Sequence, residues 1–114
     1  MIAAAQYVKD QTDALFDLTD DFQKFEVYQA FTGCELVPDT HRLALMNAAL
    51  HNLSGEIICG DTLSETGKHM KNFDVVLSNP PFGTKRGGER ASRDDFVFST
   101  SNKQLNFLQH IYRS

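Results

Sequence analysis

The apolar run Phe73-Asp-Val-Val-Leu-Ser78 is closed by Asn79-Pro80-Pro81-Phe82, and this junction constrains the chain more than any other stretch. Val75, Val76 and Leu77 favour a strand. Two consecutive prolines supply no N–H to a ladder and end it. Pro81 also drives Pro80 toward extended geometry, so the Pro80 carbonyl has a set direction. Residues 73 to 78 are therefore predicted to form a strand whose carboxyl end presents Asn79 and Phe82. In open α/β sheets, ligands bind just beyond such strand ends. Asn and Pro are also ordinary turn residues, and a plain strand-ending turn is the alternative reading of the same four positions.

The flanking sequence supplies the rest of such a sheet. Residues 2 to about 12 are strong helix formers without an N-terminal cap, and the acidic stretch through Asp20 and Asp21 reads as a loop or a short solvated helix. Ala30 to Leu36 is a short strand candidate ending near the carboxylate of Glu35. Pro38 suits the first turn of a helix, and Leu43, Met46, Ala49, Leu50 and Leu53 recur at helical spacing, which predicts a helix from Pro38 to about Asn52. Glu56 to Cys59 is a second strand, closed by Gly60-Asp61-Thr62. A turn-like stretch leads to Asn72, and residues 83 to 93 have the glycine and charge of a loop. Ser101 or Asn102 can cap a last helix with Leu105, Phe107, Leu108 and Ile111 as its apolar positions. Alternating strands and helices imply an α/β fold with a parallel sheet. Glu35, Asp61 and Asn79 then fall on one edge of it.

The chain has 114 residues, 41% of them hydrophobic and 11% aromatic, a composition suited to one globular domain with a modest core. No apolar stretch approaches the roughly 18 residues of a membrane span, and Met1-Ile-Ala-Ala-Ala lacks the pattern of a secretory signal, so no membrane association and a cytoplasmic location are expected. Cys34 and Cys59 sit in apolar runs, and neither they nor His41, His51, His69 and His110 show ligand spacing; no metal is expected. The formal charge of -4 argues against a free-standing nucleic-acid binder. Lys85, Arg86, Arg90 and Arg93 nevertheless cluster directly after Phe82. That loop either touches phosphates or stays solvated.

Asn-Pro-Pro-aromatic at a strand end resembles the catalytic loop of amino-directed, S-adenosylmethionine-dependent methyltransferases, and the chemistry explains the residue types. The exocyclic amine of adenine is a poor nucleophile because its lone pair is delocalised into the ring. Two acceptors that hold its N–H groups turn the lone pair toward the methyl donor. The Asn79 side-chain oxygen can be one and the Pro80 carbonyl, preset by Pro81, the other. Phe82 offers a flat face on which an extruded base can stack.

The resemblance extends further. Phe31-Thr-Gly-Cys-Glu-Leu-Val-Pro-Asp-Thr-His-Arg-Leu-Ala-Leu-Met-Asn47, Gly60-Asp-Thr-Leu-Ser64, Phe73 to Gly83 and Thr100 to His110 resemble the methylase subunit of type I restriction-modification systems. The resemblance covers about residues 1 to 114. It implies a Rossmann-like methyltransferase fold and transfer of a methyl group from S-adenosylmethionine to a flipped adenine N6 in DNA. It also implies a specificity subunit that reads the sequence, a restriction subunit and a second methylase subunit as partners. On it, Glu35 matches the ribose-binding acid, Asp61 a position near the cofactor's adenine, and Asn79, Pro80, Pro81 and Phe82 the catalytic loop.

Members of that family place an aspartate-bearing first strand and a glycine-rich loop ahead of the helix entered here at Ile2, after a helical N-terminal region, and they continue with further strands. Residues 1–114 are therefore expected to be a truncated part of the catalytic domain, lacking the first strand between those ending at Glu35 and Asn79, and to be inactive alone. Asn-Pro-Pro-aromatic loops also act on cytosine N4, RNA bases and protein glutamine. A non-catalytic remnant of the fold is the reading from a different functional class.

Overall fold

A computed structural model describes residues 1–83 and 93–114. These form two compact units, Met1–Cys59 and Gly60–Ser114.

In the first unit, α1 (Ile2–Asp10) and α2 (Asp20–Tyr28) precede a βαβ crossover made of β1 (Gly33–Glu35), α3 (Pro38–Leu50) and β2 (Ile57–Cys59). Helix α1 starts without a side-chain cap, as its sequence implied. It ends where Thr12 Oγ1 accepts a hydrogen bond from the Leu15 N–H at 3.0 Å, and Ala14 and Leu15 take left-handed φ values of 48° and 74° that turn the chain back. Helix α2 begins at Asp20, where Asp20 and Asp21 complement the positive end of the helix. It carries the chain on to Tyr28, beyond the acidic stretch in which a loop or short helix was expected. The strands are parallel, in the register Gly33 to Ile57, Cys34 to Ile58 and Glu35 to Cys59.

Helix α3 begins with Pro38 at its first turn, where a missing N–H costs nothing. Its buried side is not the expected one. Ala48 is buried and Ala44 and His41 are half-buried, whereas Leu43, Met46, Ala49 and Leu50 are exposed. The helix is apolar on most sides, so periodicity alone singles out no face. Small alanines allow close approach, and His41 Nε2 donates to the Ile57 carbonyl at 2.7 Å, tying α3 to β2. Ala5, Ala48 and Leu53 form the core of this unit, with Met1, Ile2, Phe31 and Ile57 packed against them.

The second unit contains α4 (Glu65–Lys68) and α5 (Lys103–Arg113). Ser64 caps α4 by accepting from the Thr66 N–H at 3.3 Å. Asn102, one of the two expected caps, accepts from the Leu105 N–H at 3.0 Å.

Residues 73–78, the expected third strand, have no regular secondary structure. A strand exists only through a partner, and among the described residues the sheet consists of β1 and β2. Phe73 N–H instead donates to the Ser114 carbonyl at 2.8 Å. Helix α5 also departs from expectation, because Asn106, Gln109 and His110 are its buried residues while Leu105 and Leu108 are exposed.

Two glycines of the first unit provide a test of its packing. A Cβ at Gly55 would run into the Phe31 carbonyl, whereas one at Gly33 would meet only the Ile57 side chain, at 3.7 Å. Gly55→Ala should therefore destabilise the purified chain by about 1–3 kcal/mol in thermal unfolding, with Gly33→Ala much closer to wild type.

Candidate functional site

Asn79, Pro81 and Phe82 are exposed and Pro80 is half-buried, with Phe82 88% exposed. The segment that carries them is bracketed by α5. Phe73 is bound to Ser114 at one end, and at the other the Gly83 carbonyl accepts from the Lys103 N–H at 3.2 Å. Gly83 has a φ of 103°, a conformation that a residue with a Cβ adopts only under strain. The result is an apolar ring face and an amide side chain presented outward by a backbone anchored on both sides.

The two candidate cofactor carboxylates share a local design. Glu35 Oε1 accepts the Val37 N–H at 2.8 Å, and Asp61 Oδ1 accepts the Leu63 N–H at 2.8 Å. Each side chain is thus oriented by the backbone two residues further on, and a carboxylate retains acceptor capacity on its second oxygen. The Asp61 carbonyl also accepts from Ser64 N–H at 2.9 Å and Ser64 Oγ at 2.6 Å, which fixes the turn after Gly60. Glu35 belongs to the first unit and Asp61, Asn79 and Phe82 to the second. Within the first unit, Glu35 pairs with Cys59 in the sheet register. Among the described residues, no group of three or more His, Cys, Asp or Glu side chains could hold a metal ion.

Sequence reasoning missed the most tightly bonded cluster of the second unit. Arg93 was assigned to the basic loop, yet it is 5% exposed. Its guanidinium grips Asp95 with two hydrogen bonds, Nε to Oδ1 at 2.8 Å and Nη2 to Oδ2 at 2.6 Å. Nη1 donates to the Thr62 carbonyl at 3.2 Å and to His110 Nδ1 at 3.0 Å, and the guanidinium carbon lies 4.5 Å from the centre of the Phe96 ring. Arg113 Nε reaches Asp95 Oδ2 at 3.1 Å. Lys85, Arg86 and Arg90, the other cations of that expected loop, lie outside the described residues. The readable signal was the spacing of Asn106, Gln109 and His110, polar residues that recur on one face of α5.

Comparison with known proteins identifies the family. The N-6 DNA Methylase family model matches residues 1–114. The chain belongs to that family. It is 48% identical to the methylase subunit of the type I restriction enzyme StySPI from Salmonella potsdam, over 97% of this chain and 22% of that protein. The methylase subunit of the type I restriction enzyme EcoKI from Escherichia coli K12 is 47% identical over the same shares. The crystal structure of the EcoKI M protein superposes with a TM-score of 0.87 at 47% identity, covering 96% of this chain and 24% of that one. The chain thus spans about a fifth of the length of these relatives.

Electrostatics make the Arg93 cluster acid-sensitive. Hydrogen bonds from Arg93 hold the Asp95 carboxyl below the usual carboxylate range against the opposing effect of burial. Burial, followed by the positive charge of Arg93, pushes the His110 imidazole down. Because Arg93 donates to Nδ1, His110 is neutral with its proton on Nε2. Below a pH of about 6.5 the unfolded chain takes up a proton that folded His110 resists, and below about 4 the same holds for Asp95. Stability is therefore complete at neutral pH and declines on acidification, first through His110. The thermal unfolding midpoint should fall between pH 7 and pH 5, and His110→Gln should flatten that dependence.

Proposed function

We propose that this chain is part of the catalytic domain of a type I DNA adenine-N6 methyltransferase subunit, in which Asn79, Pro80, Pro81 and Phe82 handle the target base. The observation that carries this reading is the outward presentation of Asn79 and Phe82 beside a proline-fixed carbonyl in a chain of the N-6 DNA methylase family. Residues 1–114 are read as a partial Rossmann-like methyltransferase domain. The parallel β1-α3-β2 crossover and the likeness to the EcoKI M protein support it.

S-adenosylmethionine, when bound, supplies a methyl group on a positively charged sulfur. The chain's donor set fits this cofactor. Glu35 ends β1 with one oxygen anchored to Val37, and its remaining acceptor capacity suits the two hydroxyls of a ribose. Asp61, held by Leu63, suits the amine of the cofactor's adenine. Asn79 Oδ1 and the Pro80 carbonyl accept the two N–H bonds of the target amine. This turns its lone pair toward the incoming carbon. With the cofactor bound, methyl transfer would make the amine nitrogen positive, and Asn79 Oδ1 and the Pro80 carbonyl would then hold its N–H groups more strongly. Phe82 stacks on the extruded base and replaces part of the stacking lost from the duplex.

DNA is the proposed substrate. A specificity subunit, a restriction subunit and a second methylase subunit are the proposed partners. The StySPI and EcoKI relatives are named as methylase subunits of type I restriction enzymes, which supports an assembly of this kind.

In the full-length subunit assembled with its specificity partner, Asn79→Ala should lower turnover on the order of a hundredfold or more with little change in cofactor affinity. Near-normal methylation of adenine would refute the assignment. Glu35→Ala should weaken S-adenosylmethionine binding about tenfold or more, since hydrogen bonds to a charged acceptor are worth roughly 1.5–3 kcal/mol. Isothermal titration calorimetry reads that change directly.

A further inference from the structure

Among the described residues the Asn79–Phe82 segment has no strand ladder to hold it, and a backbone bond from the Lys103 N–H to the Gly83 carbonyl at 3.2 Å anchors it downstream. Lys103 is the first residue of α5. Its N–H is one of the donors that a helix start leaves without an intrahelical acceptor. Gly83 aims its carbonyl there through a φ of 103°. A Cβ at Gly83 would meet no heavy atom of the described residues within 4 Å, so among them the glycine serves backbone direction and not space.

Helix α5 is itself immobilised by buried polar side chains. Asn106, at 0% exposure, donates from Nδ2 to the Thr100 carbonyl at 3.0 Å. The Gln109 amide pairs with the Phe98 backbone, accepting its N–H at 2.7 Å and donating to its carbonyl at 3.0 Å. A helix fixed in this way gives the Lys103 N–H a defined position, one residue beyond Phe82 through Gly83.

We propose that the Lys103 backbone N–H and the Gly83 turn are positioning groups for methyl transfer, setting where the Pro80 carbonyl and the Phe82 ring stand. The inference rests on the reading of Asn79–Phe82 as the catalytic loop. It assigns no role to the Lys103 charge. Displacing the loop by a fraction of an ångström lengthens the acceptor contacts to the amine and lowers turnover, while the contacts of Glu35 and Asp61 to their own backbones are untouched.

Lys103→Pro removes this one donor with little other disturbance. Proline is favoured at the first helical position, and Asn102, at φ -71° and ψ 114°, already has the geometry that a residue before proline adopts. In the full-length subunit assembled with its specificity partner, Lys103→Pro should reduce kcat about tenfold or more. The Kd for S-adenosylmethionine and the Tm should stay at wild-type values. Gly83→Ala should act in the same direction, and the conservative Lys103→Ala, which retains the N–H, should restore turnover. A wild-type kcat in Lys103→Pro alongside an inactive Asn79→Ala would overturn the positioning role and leave the catalytic-loop reading intact. Wild-type turnover in Asn79→Ala would overturn both. A loss of kcat in Lys103→Pro matched by equal losses in Tm and cofactor affinity would show a structural role and overturn the proposal.

Discussion

The second unit depends on a buried cation. Arg93 brings a guanidinium into the interior, and such a group stays there only if its donors find acceptors. Asp95 takes two of them, and the Thr62 carbonyl and His110 Nδ1 take the third nitrogen's. Together they join the turn after Asp61, the segment from residue 93 and helix α5. Removing one partner would leave a buried charge uncompensated, a loss of roughly 3–5 kcal/mol for pairs of this type. The directional demand of the guanidinium also defines one arrangement of these segments, which apolar packing alone would leave less determined.

Polar groups repeatedly perform the work here that apolar packing performs in larger cores. The Gln109 amide takes the place of a strand partner for Phe98, and Asn106 secures Thr100. In the first unit, His41 ties α3 to β2 above a core of two alanines and a leucine. Small side chains allow close approach but bury little area each, so directional bonds set the geometry. The outward sides of α3 and of residues 73–82 remain apolar and exposed, through Leu43, Met46, Leu50, Val75, Leu77 and Phe82.

The anchoring of the Asn79–Phe82 segment follows from the same economy of structure. With no described strand beside it, the run obtains its fixed points from the two ends of α5, at Phe73 and Gly83. A helix of eleven residues, about 16 Å long at 1.5 Å per residue, is a rigid ruler for a segment of comparable span. The proposed catalytic groups are thereby tied to a helix whose own register is set by buried amides.

The local elements were legible because their signals are local. Pro38 at a helix start, Asn102 as a cap, and the parallel strands flanking α3 all appear where the sequence placed them. The Asn79–Phe82 motif and the family resemblance were legible because two prolines in a row fix backbone geometry without help from neighbours. Three features were not. The run 73–78 has the composition of a strand, but a strand requires a partner, which residue preferences do not supply. The buried side of α3 was not determined by a helix apolar on most faces. Arg93 is indistinguishable from a solvated residue in sequence, since a charge can be buried only where tertiary structure collects its acceptors. The sequence by itself determined most of the local elements, their order and the motif from Asn79 to Phe82; tertiary structure decided whether the run 73–78 pairs, which faces are buried and which groups hold that segment, because burial and long-range hydrogen bonding are properties of neighbours brought together by folding.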